Sequence, residues 1–236
     1  MQCVILAAGR GARMEELTGS VPKPMLMVGG KTLIEHKLDA LPEEVDEVVF
    51  VVGYLGHVIR EHFGGLYAGK RIVYQEQKEL NGTAGALWQT RSILKDRFLV
   101  MMGDDIYTIH DIEQCIATKG WTLLVQGVPE LSRAGRIELD SDGNIADIIE
   151  SNKENEARKE PGIASTNMYV LDTRLFTCAL VPKHAGSLEV GLPQTVIAAS
   201  KQLGIPLEPV FTDQWIQITS PKDLTAAEEA LKKRPH

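Results

Sequence analysis

Residues 2–25 read QCVILAAGRGARMEELTGSVPKPM and join an apolar run to a glycine-containing loop. The run at residues 3–7 is short, apolar and partly β-branched, which predicts a buried strand. Small residues and two glycines follow it, and they let a backbone approach a ligand closely and direct N–H groups at anionic oxygens. The stretch therefore predicts a strand that ends in an anion-binding loop.

Short β-branched runs alternate with helix-period segments through the first half of the chain. The predicted strands are residues 3–7, 47–52, 71–75, 98–102 and 121–128, and the predicted helices are 31–41, 55–63, 83–94 and 109–119. This βαβα succession predicts a doubly wound, Rossmann-like α/β fold, with a mostly parallel sheet covered by helices on both faces.

The pattern changes after residue 128. Two strands, 136–139 and 145–149, flank the turn sequence DSDGN, and a third strand follows at 163–171. Residues 151–161 are polar and predict a loop, and helices are predicted at 173–180, at 192–203 and from Pro221 onward, with Ser220 as N-cap. We expect one domain over residues 1–236, in which residues 1–128 form the sheet and residues 129–236 cap it.

Charge and cysteine content exclude several classes of protein. Among 236 residues, 25 Lys and Arg stand against 32 Asp and Glu, a net charge of −7. Such an acidic chain lacks the cationic surface that nucleic acids require. Three separated cysteines without a CxxC pair indicate reduced thiols in a cytoplasmic protein. The N-terminus has no basic segment and only a short apolar run, so neither a signal peptide nor a membrane span is expected.

Three explanations of the loop compete. A dinucleotide-binding fingerprint needs a third glycine where Met14 stands. A P-loop ending at Gly30-Lys31-Thr32 would have Met25 as its first glycine, and no strand precedes it, so Gly29 and Gly30 predict a turn before a helix instead. A plain solvated turn does not explain why prolines flank Lys23, since proline fixes φ and restrains its neighbour. Arg13 and Lys23 therefore remain the phosphate-binding candidates.

The sequence LAAGRGARMEELTGSVPKPM resembles the signature loop of sugar-phosphate nucleotidylyltransferases, LAAGxGxRxxPxTxxxPKPM, with Glu16 in place of a proline. The resemblance implies the nucleotide-diphospho-sugar transferase fold, with a small sugar-binding β-extension. It implies that Arg13 holds the departing pyrophosphate and that Lys23 holds the reacting phosphates. It also implies that the loop wraps a nucleoside triphosphate through Leu6, Ala7, Ala8, Gly9 and Gly11.

Two further segments resemble the family. QKELNGTAGAL is similar to the base-binding segment, so Gln77, Gly82 and Thr83 are expected at the nucleotide; an amide can both donate to and accept from a base edge. Gly103-Asp104-Asp105 is similar to the family's metal motif. Asp104 is therefore the expected Mg²⁺ ligand, and Asp105 is expected in the sugar pocket.

The second half matches more loosely. The resemblance places Gly135, Glu150, Ser165 and Asn167 in the sugar pocket, with Glu150 accepting hydrogen bonds from hydroxyl groups. Ser151 and Asn152 replace the usual Lys-Pro after this acid, Asn167 stands where glycine is usual, and Gln194 replaces another acid. Gln217 occupies the place of the second metal-binding carboxylate. Either its amide coordinates weakly, or Asp213 substitutes, or the metal depends on Asp104 and phosphates alone.

The expected activity is transfer of a nucleoside monophosphate from an NTP to a sugar 1-phosphate, with Mg²⁺. UTP or dTTP is favoured, GTP and CTP stay open, and a homo-oligomer is compatible with the sequence. The length predicts this one activity, without an appended acyltransferase or regulatory region.

One alternative is a cytidylyltransferase for a non-sugar phosphate such as phosphocholine, with Tyr54, Tyr169 and Trp215 as ammonium-binding rings. Another is a weakly catalytic protein that senses nucleotide sugars.

Overall fold

A computed structural model describes residues 1–11, 14, 17–131, 135–150 and 160–233. The strands are β1 (Gln2–Ala7), β2 (Met27–Val28), β3 (Lys31–Thr32), β4 (Glu47–Val52), β5 (Leu66–Tyr67), β6 (Lys70–Glu76), β7 (Arg97–Met102), β8 (Asp105–Ile106), β9 (Trp121–Val128), β10 (Arg136–Leu139), β11 (Ile145–Ile149), β12 (Gly162–Asp172), β13 (Leu207–Thr212) and β14 (Ile216–Gln217). The helices are α1 (Leu33–Asp39), α2 (Gly56–Phe63), α3 (Thr83–Trp88), α4 (Ile109–Ala117), α5 (Leu192–Leu203) and α6 (Pro221–Lys233).

The central sheet confirms the predicted doubly wound α/β fold. Strands β7, β1, β4 and β6 lie side by side and parallel, and Ile5 of β1 pairs with Phe50 on one side and Met101 on the other. The second half of the chain extends this sheet through β12, which is antiparallel to β7 and also pairs with β9 and β10. The sheet is therefore mixed, with a parallel centre and an antiparallel extension. Strand β12 lies between β7 and β9, so the expectation that residues 1–128 form the sheet and residues 129–236 cap it is wrong.

Strand β1 is buried on both faces because its side chains alternate between two apolar clusters. Cys3 and Ile5 point into the cluster that contains residues of α1, α2 and α4. Val4 and Leu6 point into the cluster that contains residues of α3 and α5. Successive side chains of a strand face opposite sides of a sheet, so a continuous apolar run fits a strand covered by helices on both sides.

Several predicted bounds match the structure, and others differ for local reasons. Helix α3 ends at Trp88 rather than near residue 94, because the next residues form tighter turns, in which Thr90 N donates to the carbonyl of Leu87. Strand β13 is absent from the sequence prediction. It contains Pro209 and pairs only with β9, as expected for an edge strand that tolerates proline. The predicted loop at 151–161 lies mostly outside the described residues.

The Gly29-Gly30 turn precedes α1 as predicted. Both glycines have positive φ, 56° and 85°, and they connect the short strands β2 and β3. Thr32 then caps α1: its hydroxyl accepts from Glu35 N at 3.1 Å, and the Glu35 carboxylate accepts from Thr32 N at 2.6 Å. None of the helices in the described ranges is long and apolar enough to span a membrane.

Native thiols should react slowly. Cys3, Cys115 and Cys178 are buried and unpaired, and burial raises the pKa of Cys3 and brings that of Cys115 to about 12. Since the thiolate is the reactive form, we expect slow labelling by a chromogenic disulfide reagent at pH 7.5 and rapid labelling of all three thiols in guanidinium. A rapid burst from the native protein would contradict this burial.

Candidate active site

The candidate site lies where the parallel strands end and the strand order reverses. From β1 the chain continues to β4 and β6 on one side, whereas β7 lies on the other side. Ligands of open α/β sheets bind at such a switch point, beyond the carboxyl ends of the strands. Gly103, which follows β7, donates its N–H to the carbonyl of Leu6 at 2.9 Å. A Cβ on Gly103 would lie 2.8 Å from Cγ of Pro24, so only glycine lets these segments approach this closely.

A cavity of about 550 Å³ opens at this edge, a size usual for small-molecule sites. Residues from both halves of the chain line it. Of the residues predicted to bind substrates or metal, those that line the cavity are Leu6, Ala7, Ala8, Gly9, Gly11, Lys23, Gln77, Gly82, Thr83, Asp104 and Glu150. Five other predicted residues are described by the structure but do not line the cavity: Asp105, Gly135, Ser165, Asn167 and Gln217. Arg13 lies outside the described residues.

Lys23 is held in the cavity by its backbone and by one carboxylate. It lies between the two prolines and begins a short 3₁₀ turn, Lys23–Met25. Gly11, with φ of 64°, lets the stem of Lys23 pack against the loop, because a Cβ on Gly11 would lie 2.8 Å from Cβ of Lys23. Lys23 Nζ lies 2.5 Å from Asp104 Oδ2, and the side chain of Lys23 is 9% exposed. The ion pair offsets the cost of burying this ammonium group.

Asp105 faces away from the cavity, which corrects the expectation that it binds sugar. Its backbone carbonyl accepts a hydrogen bond from Lys37 Nζ, and the Tyr107 hydroxyl donates to its carboxylate at 3.3 Å. Burial raises the pKa of Asp105 well above its usual range and lowers that of Lys37 to about 8. Asp104 lies in the turn after β7 and lines the cavity, whereas Asp105 begins β8 and is buried.

Gln77 and Gly82 lie together at the rim. Gln77 Nε2 donates to the Asn81 side-chain oxygen and to the Gly82 carbonyl, both at 3.1 Å. Because a carbonyl only accepts, the Gly82 bond fixes the amide orientation, and both Nε2 hydrogens are used. The expectation that this amide both donates to and accepts from a base stays a prediction, and in this structure its N–H groups bind within the chain. With these bonds in place, only Oε1 remains to accept from a ligand.

Gly82 allows two backbones to approach, not only a ligand. Its φ is 100° and its ψ 176°, a region that essentially only glycine occupies. A Cβ there would collide with the carbonyl oxygen of Val190, while Ala84 N donates to that same oxygen at 3.2 Å. The contact joins the base-binding segment expected in the first half to the second half of the chain.

Two residues predicted for the sugar pocket, Ser165 and Asn167, lie at an irregularity in β12, and a third, Gly135, directly precedes β10; none of the three lines the cavity. The pairing of β12 with β9 shifts register between Ser165 and Tyr169, and Asn167 has a positive φ of 58°. Asparagine tolerates this conformation, which explains why it replaces a glycine. Ser165 is fully buried, and its N–H donates to the carbonyl of Gly135 at 2.7 Å. Strand β10 separates β12 from β11, the strand that Glu150 follows.

The oxygen donors near Asp104 fit a metal shared with substrate. Gln217 in β14 pairs with Asp105, the next residue along the chain from Asp104. Asp213 accepts from the side chain of Gln214 at 2.9 Å and does not line the cavity. Within the described residues there is no group of three His, Cys, Asp or Glu that could hold a metal ion. Magnesium often binds through one or two carboxylates plus phosphates and waters, so a single carboxylate suits it.

Several lining residues have no role in the sequence-based site. They include two cations, Arg10 and Lys183, and the apolar side chains of Leu80 and Met102. The Arg10 guanidinium lies 5.5 Å above the Tyr54 ring. Lys183 is an isolated lysine in a loop, and no local pattern identifies it. Met102, the last residue of β7, could have been found from its position at the carboxyl end of a strand.

No aromatic ring lines the cavity among the residues that the structure describes. Tyr169 is fully buried, and Trp215 is 8% exposed within an apolar cluster. Tyr54 donates its hydroxyl to the carbonyl of Thr18 at 3.2 Å. An ammonium-binding cage needs rings around its ligand, so this arrangement disfavours phosphocholine.

Comparison with known proteins places this geometry in a family. The family model described as nucleotidyl transferase matches residues 2–234. The chain belongs to the nucleotidyl transferase family. This membership confirms the resemblance carried by the signature loop and excludes the two other phosphate-loop explanations. In this family member, the matched region includes all the cavity-lining residues described above.

This nucleotidyl transferase is similar to known proteins in sequence and, separately, in structure. UTP–glucose-1-phosphate uridylyltransferase AglF of Haloferax volcanii is 31% identical over 99% of this chain and 97% of its own length. The bifunctional protein GlmU of Methanococcus maripaludis is 30% identical, and the chain spans only 53% of that protein. A crystal structure of a putative glucose-1-phosphate thymidylyltransferase from Bacillus anthracis, in complex with sucrose, has a TM-score of 0.81 and 24% identity, over 100% of this chain and 97% of that one.

Gly82→Ala should both destabilise the nucleotidyl transferase and damage its cavity. The side chain forces an unfavourable backbone region and a collision with Val190, so we expect a loss of at least about 2 kcal/mol in urea unfolding. Nucleotide binding should weaken in parallel. Gly127→Ala is the matched control, since a Cβ there meets nothing within 4 Å. Equal stabilities for the two variants would contradict the role of Gly82.

Proposed function

We propose that this chain transfers a nucleoside monophosphate from a nucleoside triphosphate to a sugar 1-phosphate and releases pyrophosphate. The observation that carries the proposal is the Lys23–Asp104 pair, 2.5 Å apart in a cavity at the switch point of the sheet. A buried lysine next to a carboxylate offers a cation for phosphates and an oxygen ligand for a metal. Both are needed when two anionic substrates react.

The reaction needs no protein nucleophile or general base. An oxygen of the sugar 1-phosphate, ionised at neutral pH, forms a bond to the α-phosphorus of the triphosphate. The bond from that phosphorus to the bridging oxygen breaks, and pyrophosphate leaves with the electron pair. The protein aligns the two anions and reduces their repulsion, the main ways in which proteins accelerate phosphoryl transfer.

Lys23 acts on the reacting phosphates in this scheme, and Arg13 is proposed for the departing pyrophosphate. The loop residues Leu6, Ala7, Ala8, Gly9 and Gly11 line the cavity beside Lys23, which supports a place for the triphosphate there. Asp104 would hold Mg²⁺, and Gln217, whose strand pairs with Asp105, is the candidate for a second protein ligand. When bound, the ion supplies positive charge to the phosphates.

The base and the sugar are proposed to bind on opposite sides of Lys23. Gln77 and Thr83 lie at the nucleotide end, where Gln77 Oε1 can accept an N–H group. The ring N3–H of uracil or thymine is such a donor, which supports UTP or dTTP, and guanine also presents one. Glu150 in the second half is the residue that we assign to sugar hydroxyl groups. The uridylyltransferase relative, 31% identical to this chain, agrees with the choice of UTP.

The proposal is tested by pyrophosphate release from a matrix of substrates. UTP, dTTP, GTP and CTP are each combined with glucose 1-phosphate, mannose 1-phosphate or phosphocholine, with and without Mg²⁺. We expect turnover with a sugar 1-phosphate and with UTP or dTTP. Turnover with phosphocholine alone would replace this function with the cytidylyltransferase alternative. Nucleotide-sugar binding without turnover in any combination would identify a sensor.

Lys23→Ala should lower kcat by about 10²- to 10³-fold, because it removes a preorganised cation from the reacting phosphates. The fold should persist, since the Asp104 side chain is 36% exposed and stays hydrated without its partner. Lys119→Ala, at an exposed position away from the cavity, controls for the loss of one charge. A folded Lys23→Ala variant with kcat within threefold of the original would refute the role of Lys23.

A further inference from the structure

Charged side chains form two pairs in the cavity, one from each half of the chain. Lys23 and Asp104 form the pair of the first half. In the second half, Lys183 Nζ lies 3.7 Å from Glu150 Oε2, and both residues line the cavity. The second pair has no role in the function proposed so far, although Glu150 does.

The two pairs differ in strength. The Lys23 pair is short and has a largely buried ammonium group, whereas the Lys183 side chain is 45% exposed and its ion pair is long. Exposed ion pairs contribute little, because water screens them. Lys183 can therefore leave Glu150 for a more highly charged partner at small cost. A phosphate monoester dianion is such a partner.

Backbone contacts hold Lys183 at the cavity, while its flexible side-chain stem can change direction. Lys183 N donates to the carbonyl of Glu189 at 2.8 Å, and Pro182 forms a β-bridge with Val190. Gly191 packs on the same segment, since a Cβ there would lie 3.4 Å from Cα of Lys183. The segment is thus fixed against the wall of the cavity, and only the lysine stem needs to move.

We propose that Lys183 binds the phosphate of the sugar 1-phosphate and so determines the affinity for this substrate. The inference rests on the proposed function, in which two anions enter one cavity. Lys23, which acts on the reacting phosphates, belongs to the first half, and among the described lining residues of the second half Lys183 is the sole cation. Beside Glu150, which accepts from hydroxyl groups, its ammonium group completes a site for a molecule that carries both hydroxyl groups and a phosphate.

The test is steady-state kinetics with UTP and glucose 1-phosphate, or with the fastest pair from the substrate matrix. Lys183→Gln should raise KM for the sugar 1-phosphate by about 10- to 100-fold, the range of one charge-assisted hydrogen bond, and leave KM for the nucleotide within about twofold. Lys183→Arg keeps the cation and should restore KM to within about threefold. Lys201→Gln, an exposed lysine on α5, is the charge-matched control.

Glu150→Gln distinguishes binding from a structural ion pair. If the pair only stabilises the fold, Glu150→Gln and Lys183→Gln will lower the melting temperature equally, and Lys183→Gln will not change KM for the sugar 1-phosphate selectively. Lys183→Met, which keeps the apolar stem, replaces Lys183→Gln if that variant does not fold. An unchanged KM, or an equal rise for both substrates, overturns the role of Lys183. A folded, unmodified protein inactive with every substrate pair would instead refute the proposed function, and this inference with it.

Discussion

One close approach, between the ends of β1 and β7, determines the candidate site. Gly103 brings its N–H to the carbonyl of Leu6 and leaves space for Pro24, and Asp104 then reaches Lys23. Any side chain at Gly103 would separate these segments and leave a buried ammonium group without its carboxylate. Since an unpaired buried charge costs several kcal/mol, roughly 3–5, the backbone contact and the ion pair depend on each other. The cavity therefore has its cation in position before any ligand binds.

Two further charged residues, Lys37 and Asp105, are buried on the core side of the Lys23–Asp104 pair. Lys37 is fully buried in α1 and donates to the carbonyls of Leu33 and Asp105, so it ties the helix to the turn that carries Asp104. Its lowered pKa and the raised pKa of Asp105 have the same cause, burial, which disfavours the charged form of either group. The two adjacent aspartates thus have different functions: Asp104 presents its carboxylate to the cavity, and Asp105 fixes the turn from the core side.

Local patterns predicted the parallel centre of the sheet, since the strand Glu47–Val52 has the expected bounds, and the signature loop led to Lys23. They also predicted the bounds of Trp121–Val128 but not its antiparallel pairing with β12. They could not distinguish Asp104 from Asp105, because the difference depends on where the turn after β7 ends and the buried strand β8 begins. Gly82 was expected beside a base, whereas its closest neighbour is the backbone of Val190, far away in sequence. Lys183 has no motif at all. Each of these assignments depends on a contact between residues that are distant in sequence, and hydrophobic periodicity gives no information about such contacts.

The position of the two lysines also explains why the second half of the chain is needed. A cavity built from β1, β4, β6 and β7 alone would hold Lys23 and Asp104, which is sufficient for one polyphosphate. A second anion adds repulsion, and at about 4 Å two unit charges repel by about 4 kcal/mol when the effective dielectric constant is near 20. In the function proposed here, Lys183, on the wall formed by the second half of the chain, reduces this repulsion. The β12 extension and the Val190 contact hold that wall in place, so the antiparallel addition contributes directly to the proposed chemistry.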